Sequence, residues 1–101
     1  MRKYLITYHG GGGMPPNPEA AAKMKAAFGA WLQSAGKAVV DPGAPLSKKT
    51  SVAKGTALPA VEIGGYSIVQ AESEQDVVRI LKAHPFVERG GTLQVNEVMS
   101  I

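Results

Sequence analysis

"NPEAAAKMKAAFGAWLQSAGKAVVD", residues 17–41, decides how the rest of the chain is read, because it joins a well-marked helix to a strand with almost no connection between them. Asn17 has a side-chain oxygen for the first free helical amides, and Pro18 suits the first helical position, where an amide would go unpaired anyway. Glu19 faces the positive end of the helix dipole. Met24, Phe28, Trp31, Leu32 and Ala35 then fall on one face, and Gly36 ends the run, so the spacing predicts a helix over 18–35. "KAVVD" (37–41) follows as a short buried strand, stopped by the turn residues of "DPGAP". Met24 and Trp31 are packing residues in this reading.

Upstream, "RKYLITYH" (2–9) alternates Tyr4, Ile6 and Tyr8 against Lys3, Leu5 and Thr7, the period-2 pattern of a strand. Downstream, residues 43–63 are polar and proline-punctuated, with one short strand expected near "KTSVAK". "GGYSIVQAE" (64–72) is a strand. Ser73 with Asp76 opens a second helix whose Val77, Ile80, Leu81 and His84 share a face until Pro85 ends it, and "GTLQVNEVM" (91–99) is the last strand. The order is βαββαβ. It predicts one α+β domain over 1–101 with a ferredoxin-like fold: a four-stranded antiparallel sheet, order 4-1-3-2, with both helices on one face.

The other face of that sheet is expected to be covered. Both alternate sets on the first strand are apolar or aromatic, and the third carries Tyr66 and Ile68 on one side with Val69 and Ala71 on the other. A second copy of the chain is the economical cover, which predicts a homodimer.

With 101 residues the chain supports a single core, and it contains no cysteine, which excludes disulfide frameworks, thiolate metal sites and cysteine nucleophiles. No apolar run approaches a membrane span, and "MRKYLITYHG" reads as a first strand and not as a leader, so no membrane partner is expected and a cytoplasmic location is. The net charge of +3 comes from lysines scattered along the sequence, with only Lys48 and Lys49 adjacent, so nucleic acid is not an expected partner. The βαββαβ order is shared with RNA recognition motifs, but Gly64, Ile68 and Ala71 stand where that motif has basic and aromatic residues.

"WLQSAGKAVVDPG" together with "GGYSIVQAESEQDVVRILKAHPFVERGGTLQVNEVM" resembles the YCII-related family of the dimeric alpha-beta barrel superfamily. The resemblance covers about residues 24–99. It implies a ferredoxin-like protomer that pairs sheet to sheet, lyase-like chemistry on small oxygenated aromatics, and a His–Asp acid–base dyad. The family's histidine in the first helix is missing here and Lys25 stands nearest its place, while "LPAVEIGGY" replaces the Asp-Gly-Pro-Phe of one subgroup. Asp41 and the "HPF" at 84–86 fit the pattern.

The topology brings the candidates together. His9 and Asp41 end the first two strands, which are parallel to one another, and the second helix returns His84 to that same edge, where Tyr66 begins the third strand. An imidazole beside a carboxylate is an acid–base pair, so Asp41, His84 and His9 are the candidate catalytic residues, with Asp41 expected to raise the His84 pKa. Tyr66 and Lys25 are the candidate substrate contacts. A helix-terminal histidine and an aspartate before Pro-Gly also have plain structural uses. His9, Asp41 and His84 have no metal-ligand spacing, so neither metal nor cofactor is expected.

The loop "HGGGGMPPNP" (9–18) has the look of a phosphate cradle but lacks both the Gly-x-Gly-x-x-Gly pattern and the lysine and hydroxyl of a P-loop. Ordering four glycines costs about 4–8 kcal/mol, so Gly10, Gly11, Gly12 and Gly13 are read as a mobile flap over the site edge, or as a plain linker. The reading that results is a dimeric lyase- or isomerase-like enzyme for a small oxygenated, aromatic or enolisable compound. Its rival is a non-catalytic dimer that binds a small ligand or regulates.

Overall fold

The computed structural model describes residues 1–11 and 15–100, so Gly12 and Gly13 of the expected flap lie outside the described residues. Strand β1 (Arg2–His9) leads to helix α1 (Pro18–Ala35), then a 3-10 turn (Gly36–Ala38), β2 (Val39–Pro45), β3 (Gly65–Ala71), α2 (Glu74–Lys82), the short α3 (Pro85–Glu88) and β4 (Thr92–Glu97). The sheet order is β2-β3-β1-β4 with every neighbouring pair antiparallel, the α+β ferredoxin-like arrangement expected from the sequence. Sheet and helices form a slab 44 × 38 × 19 Å across.

Local chemistry sets these elements as the sequence indicates. Asn17 Oδ1 accepts the Ala20 amide at 2.8 Å and Pro18 opens α1, while Gly36, at φ 55°, closes it. Ser73 Oγ accepts the Asp76 amide at 3.3 Å and starts α2. The core lies between the sheet and the helices: Tyr4 and Ile6 of β1, Val69 of β3, Trp31 of α1, and Val77 and Leu81 of α2 are all buried. Burying these side chains removes apolar area from water at about 25 cal/mol per Å² and is the main force holding the layers together.

Three expectations are corrected. Strand β2 does not stop at Asp41 but runs on to Pro45, taking the Asp-Pro-Gly turn in as a bulge. The Asp41 carboxylate accepts the Gly43 amide at 2.8 Å, and Gly43 adopts φ 76°, so the chain kinks and then resumes pairing at Ala44 opposite Tyr66. No strand forms near "KTSVAK": residues 46–64 carry no helix or strand, and their root is closed by Leu46 N–H donating to Gly64 C=O (3.0 Å) and Gly64 N–H donating to Tyr8 C=O (2.7 Å). Finally, α2 stops at Lys82, so His84 does not share its face but caps α3, and Pro85 opens a helix where it was expected to end one. It sits at the first position of α3, where no amide is needed, and turns the chain back toward β4.

The helix-free face divides into two halves. Leu5 lies opposite Ile68, and Thr7 opposite Tyr66, on the β3 side; on the β4 side the neighbours are Asn96, Gln94 and Thr92. The face is therefore apolar toward β3 and polar toward β4, narrower in its apolar part than the sequence reading expected.

Candidate functional site

The site grows from the helix-facing side of β1. Tyr8 is the last residue on that side, and its hydroxyl lies 2.9 Å from His84 Nε2 and 2.8 Å from Ser67 Oγ. Ser67 Oγ donates to the Pro42 carbonyl at 2.8 Å. At the other end, His84 Nδ1 accepts the Phe86 amide at 3.0 Å.

These bonds admit one arrangement of hydrogens. The Pro42 carbonyl can only accept, so the Ser67 hydrogen is committed to it and Ser67 must accept from Tyr8. Tyr8 then has no hydrogen left for His84, so His84 donates from Nε2, and its Nδ1 lone pair is held by the Phe86 amide. His84 is thus a neutral imidazole with its tautomer fixed by backbone. It is only 2% exposed, ringed by Trp31, Phe28 and Tyr8 with centroids at 4.4, 5.6 and 5.3 Å.

Burial, with a smaller contribution from the Arg89 guanidinium, lowers the His84 pKa to about 4. The expected rise from Asp41 is corrected: among the described residues no hydrogen bond or ion pair links the two, and the Asp41 carboxylate is spent on the Gly43 amide. Asp41 instead holds the turn that aims the Pro42 carbonyl at Ser67. Burial raises the Tyr8 pKa, with the Ser67 hydrogen bond pulling the other way, so the phenol stays protonated at neutral pH.

A cavity of about 520 Å³ opens beside this chain of hydrogen bonds. Tyr8, His84, Tyr66 and Lys25 line it, with Phe28, Phe86 and Arg89. Gly10 and Pro15 border it too, so the two described ends of the glycine loop lie at its margin. Gly11, at φ 85°, packs so closely on the Phe86 ring that a Cβ would stand 2.4 Å from it, and Gly91 abuts the same ring as closely. The loop therefore leaves β1 pinned against Phe86.

His9 stays apart. It belongs to the helix-free face, pairs with Thr7 Oγ1 at 2.8 Å through Nε2, and donates from Nδ1 to the Glu62 carbonyl at 3.1 Å, tying down the root of the 46–64 segment. Neither His9 nor Asp41 lines the cavity. Among the described residues no three His, Cys, Asp or Glu side chains gather as metal ligands would.

Sequence reasoning missed Tyr8, Ser67 and Arg89. A signal was present: Ser67 sits between Gly65 and Val69 in the buried alternate set of β3, and a hydroxyl placed there must find a partner.

No helix among the described residues is long and apolar enough to cross a membrane. No family model and no curated protein matches the chain. Among solved structures, the chain is similar to 5-chloro-2-hydroxyhydroquinone dehydrochlorinase (TftG) from Burkholderia phenoliruptrix, in complex with 2,5-dihydroxybenzoquinone. The likeness has a TM-score of 0.54 at 21% identity and covers 91% of this chain and 90% of that one. It is a likeness of fold over nearly the whole of both chains.

Proposed function

We propose that this protein is a cytoplasmic, YCII-like homodimeric enzyme of lyase or isomerase type, which performs acid–base chemistry on a small oxygenated aromatic or enolisable compound. One observation carries the reading: a directed chain of hydrogen bonds, from His84 through Tyr8 and Ser67 to the Pro42 carbonyl, presents Tyr8 in the wall of a cavity otherwise made largely of aromatic and aliphatic groups. That the fold is shared with a dehydrochlorinase of a hydroxylated ring supports the substrate class.

In this proposal Tyr8 is the group that meets the substrate oxygen. The Tyr8 hydroxyl swings its hydrogen from Ser67 Oγ to that oxygen and gives up the proton there, and the charge left on Tyr8 is held by the His84 Nε2–H bond, which strengthens as the proton leaves. His84 remains neutral throughout and holds Tyr8 in place, and Asp41 acts further back, through the Pro42 turn and Ser67. Tyr66 and Lys25 contact the substrate from the cavity wall.

A second reading has its own support. Both ring nitrogens of His84 are engaged within the protein and, among the described residues, no carboxylate lines the cavity, as suits a site that binds a small ligand without turning it over. One experiment separates the two. Trp31 stacks on Phe28 of the cavity wall, so its fluorescence should report the binding of 2,5-dihydroxybenzoquinone, while chloride release from 5-chloro-2-hydroxyhydroquinone reports turnover. The enzyme reading expects turnover that Tyr8→Phe lowers by about 100-fold, with binding changed far less. Binding with no turnover in the unmodified protein selects the carrier, and no binding at all rejects both.

A further inference from the structure

Resting on the reading that the cavity takes a small oxygenated ring, we propose that its ligand is a ring-bearing organic anion, a hydroxylated benzoate, and that Arg89 is the residue that selects for the carboxylate. Among the described residues the wall supplies two cations, Lys25 and Arg89, and no acidic side chain. Neither cation is neutralised by an ion pair among the described residues: on α1, Glu19 pairs with Lys23, and on α2, Asp76 pairs with Arg79. Two uncompensated positive charges at one small cavity favour an anion over a neutral ring of the same shape.

The form of the anion follows from how Arg89 is held. Its guanidinium lies over the Phe86 ring, 5.2 Å from the centroid. That ring is wedged by Gly11 on one side and Gly91 on the other, each so close that a Cβ would stand 2.4 Å away, so the platform beneath Arg89 is fixed. A guanidinium held over an aromatic ring spends none of its N–H groups on that contact, and its planar fork matches the two oxygens of a carboxylate. Lys25, a point charge on an exposed helix surface, supplies attraction without that geometric demand. The aromatic side chains of the wall on the helix-facing side, Tyr8 and Phe28 among them, suit the ring itself.

Calorimetric titration of the full chain with 2,5-dihydroxybenzoate and with its neutral amide tests the proposal, since the two probes share the ring and both hydroxyls. The unmodified protein should prefer the carboxylate by about tenfold or more, and raising the salt should shrink the preference. Arg89→Gln and Lys25→Gln should each cut carboxylate binding about fivefold while leaving the amide nearly unchanged. Arg89→Lys, which keeps the charge and loses the fork, should fall between Arg89→Gln and the unmodified protein. If Arg89→Gln does not fold, Arg89→Lys and Lys25→Gln carry the test. Equal binding of the two probes overturns the anion proposal and leaves the ring-binding reading standing. A preference that survives in the double variant overturns the assignment to these residues. If neither probe binds while 2,5-dihydroxybenzoquinone does, the anion proposal fails alone; if none of the three binds, both readings fail.

Discussion

His84 is held neutral by two independent restraints: it is buried among aromatic rings, and its Nδ1 lone pair is occupied by the Phe86 amide. A folded-state pKa of about 4, below the ordinary value near 6.5, means that the unfolded chain takes up the proton first. The stability this residue contributes is therefore complete above about pH 6.5, shrinks as the pH falls, and is lost by about pH 4. A displacement from 6.5 to about 4 corresponds to roughly 3 kcal/mol across that window. Urea unfolding at pH 7 and pH 4.5 should show this loss in the unmodified protein and a much smaller one in His84→Gln. The same acid sensitivity in both would show that another group titrates. At this scale the sequence was legible only in part. Order and periodicity place His84 and Tyr66 at one sheet edge, while Lys25 enters only through the family resemblance; all three border the cavity. Asp41 was paired with His84 because both fall at that edge, but an edge is many ångströms wide, and the carboxylate found a nearer donor in Gly43, two residues away. Tyr8 and Ser67 were hidden by the same alternation that identified their strands, which says which face a side chain joins and not which neighbour it bonds.

The elements were legible where their signals are local. Caps at Asn17 and Ser73, the closing Gly36, and strict alternation in β1 and β3 all act within a few residues, and the structure has each of them. The Asp-Pro-Gly segment was misread as an end because its fate depends on a distant partner. Gly43 lies so close to β3 that a Cβ would stand 1.7 Å from the Tyr66 carbonyl oxygen, and its φ is 76°. Turn and strand are compatible here only because glycine allows both the approach and the backbone angle. Gly43→Ala should accordingly cost more than about 2 kcal/mol, whereas Gly55→Ala, with open space around it, should change stability by less than about 0.5 kcal/mol. Urea midpoints of the two variants check this, and equal midpoints would mean that the bulge relaxes freely. Because the Pro42 carbonyl that ends the hydrogen-bond chain sits inside this bulge, Gly43→Ala should also disturb Tyr8.

The molecule as a whole leaves Ile68 and Leu5 side by side on the face of the sheet that no helix covers. The dimer proposed on that ground should scatter light with a mass of about 21 kDa, twice the 10.5 kDa chain. Ile68→Asp, which places a charge in the apolar half of the face, should return the mass to that of one chain or prevent folding; a monomer in the unmodified protein would remove the proposal. The slab shape bears on the same question. Its radius of gyration is 14.9 Å, against about 13 Å for a rounded chain of this length. A body 44 × 38 Å in plan and 19 Å deep encloses little for the outside it presents, one layer of sheet and one of helix. In the proposed dimer the two bare faces would cover one another, so that each copy supplies half of an interior it does not enclose alone.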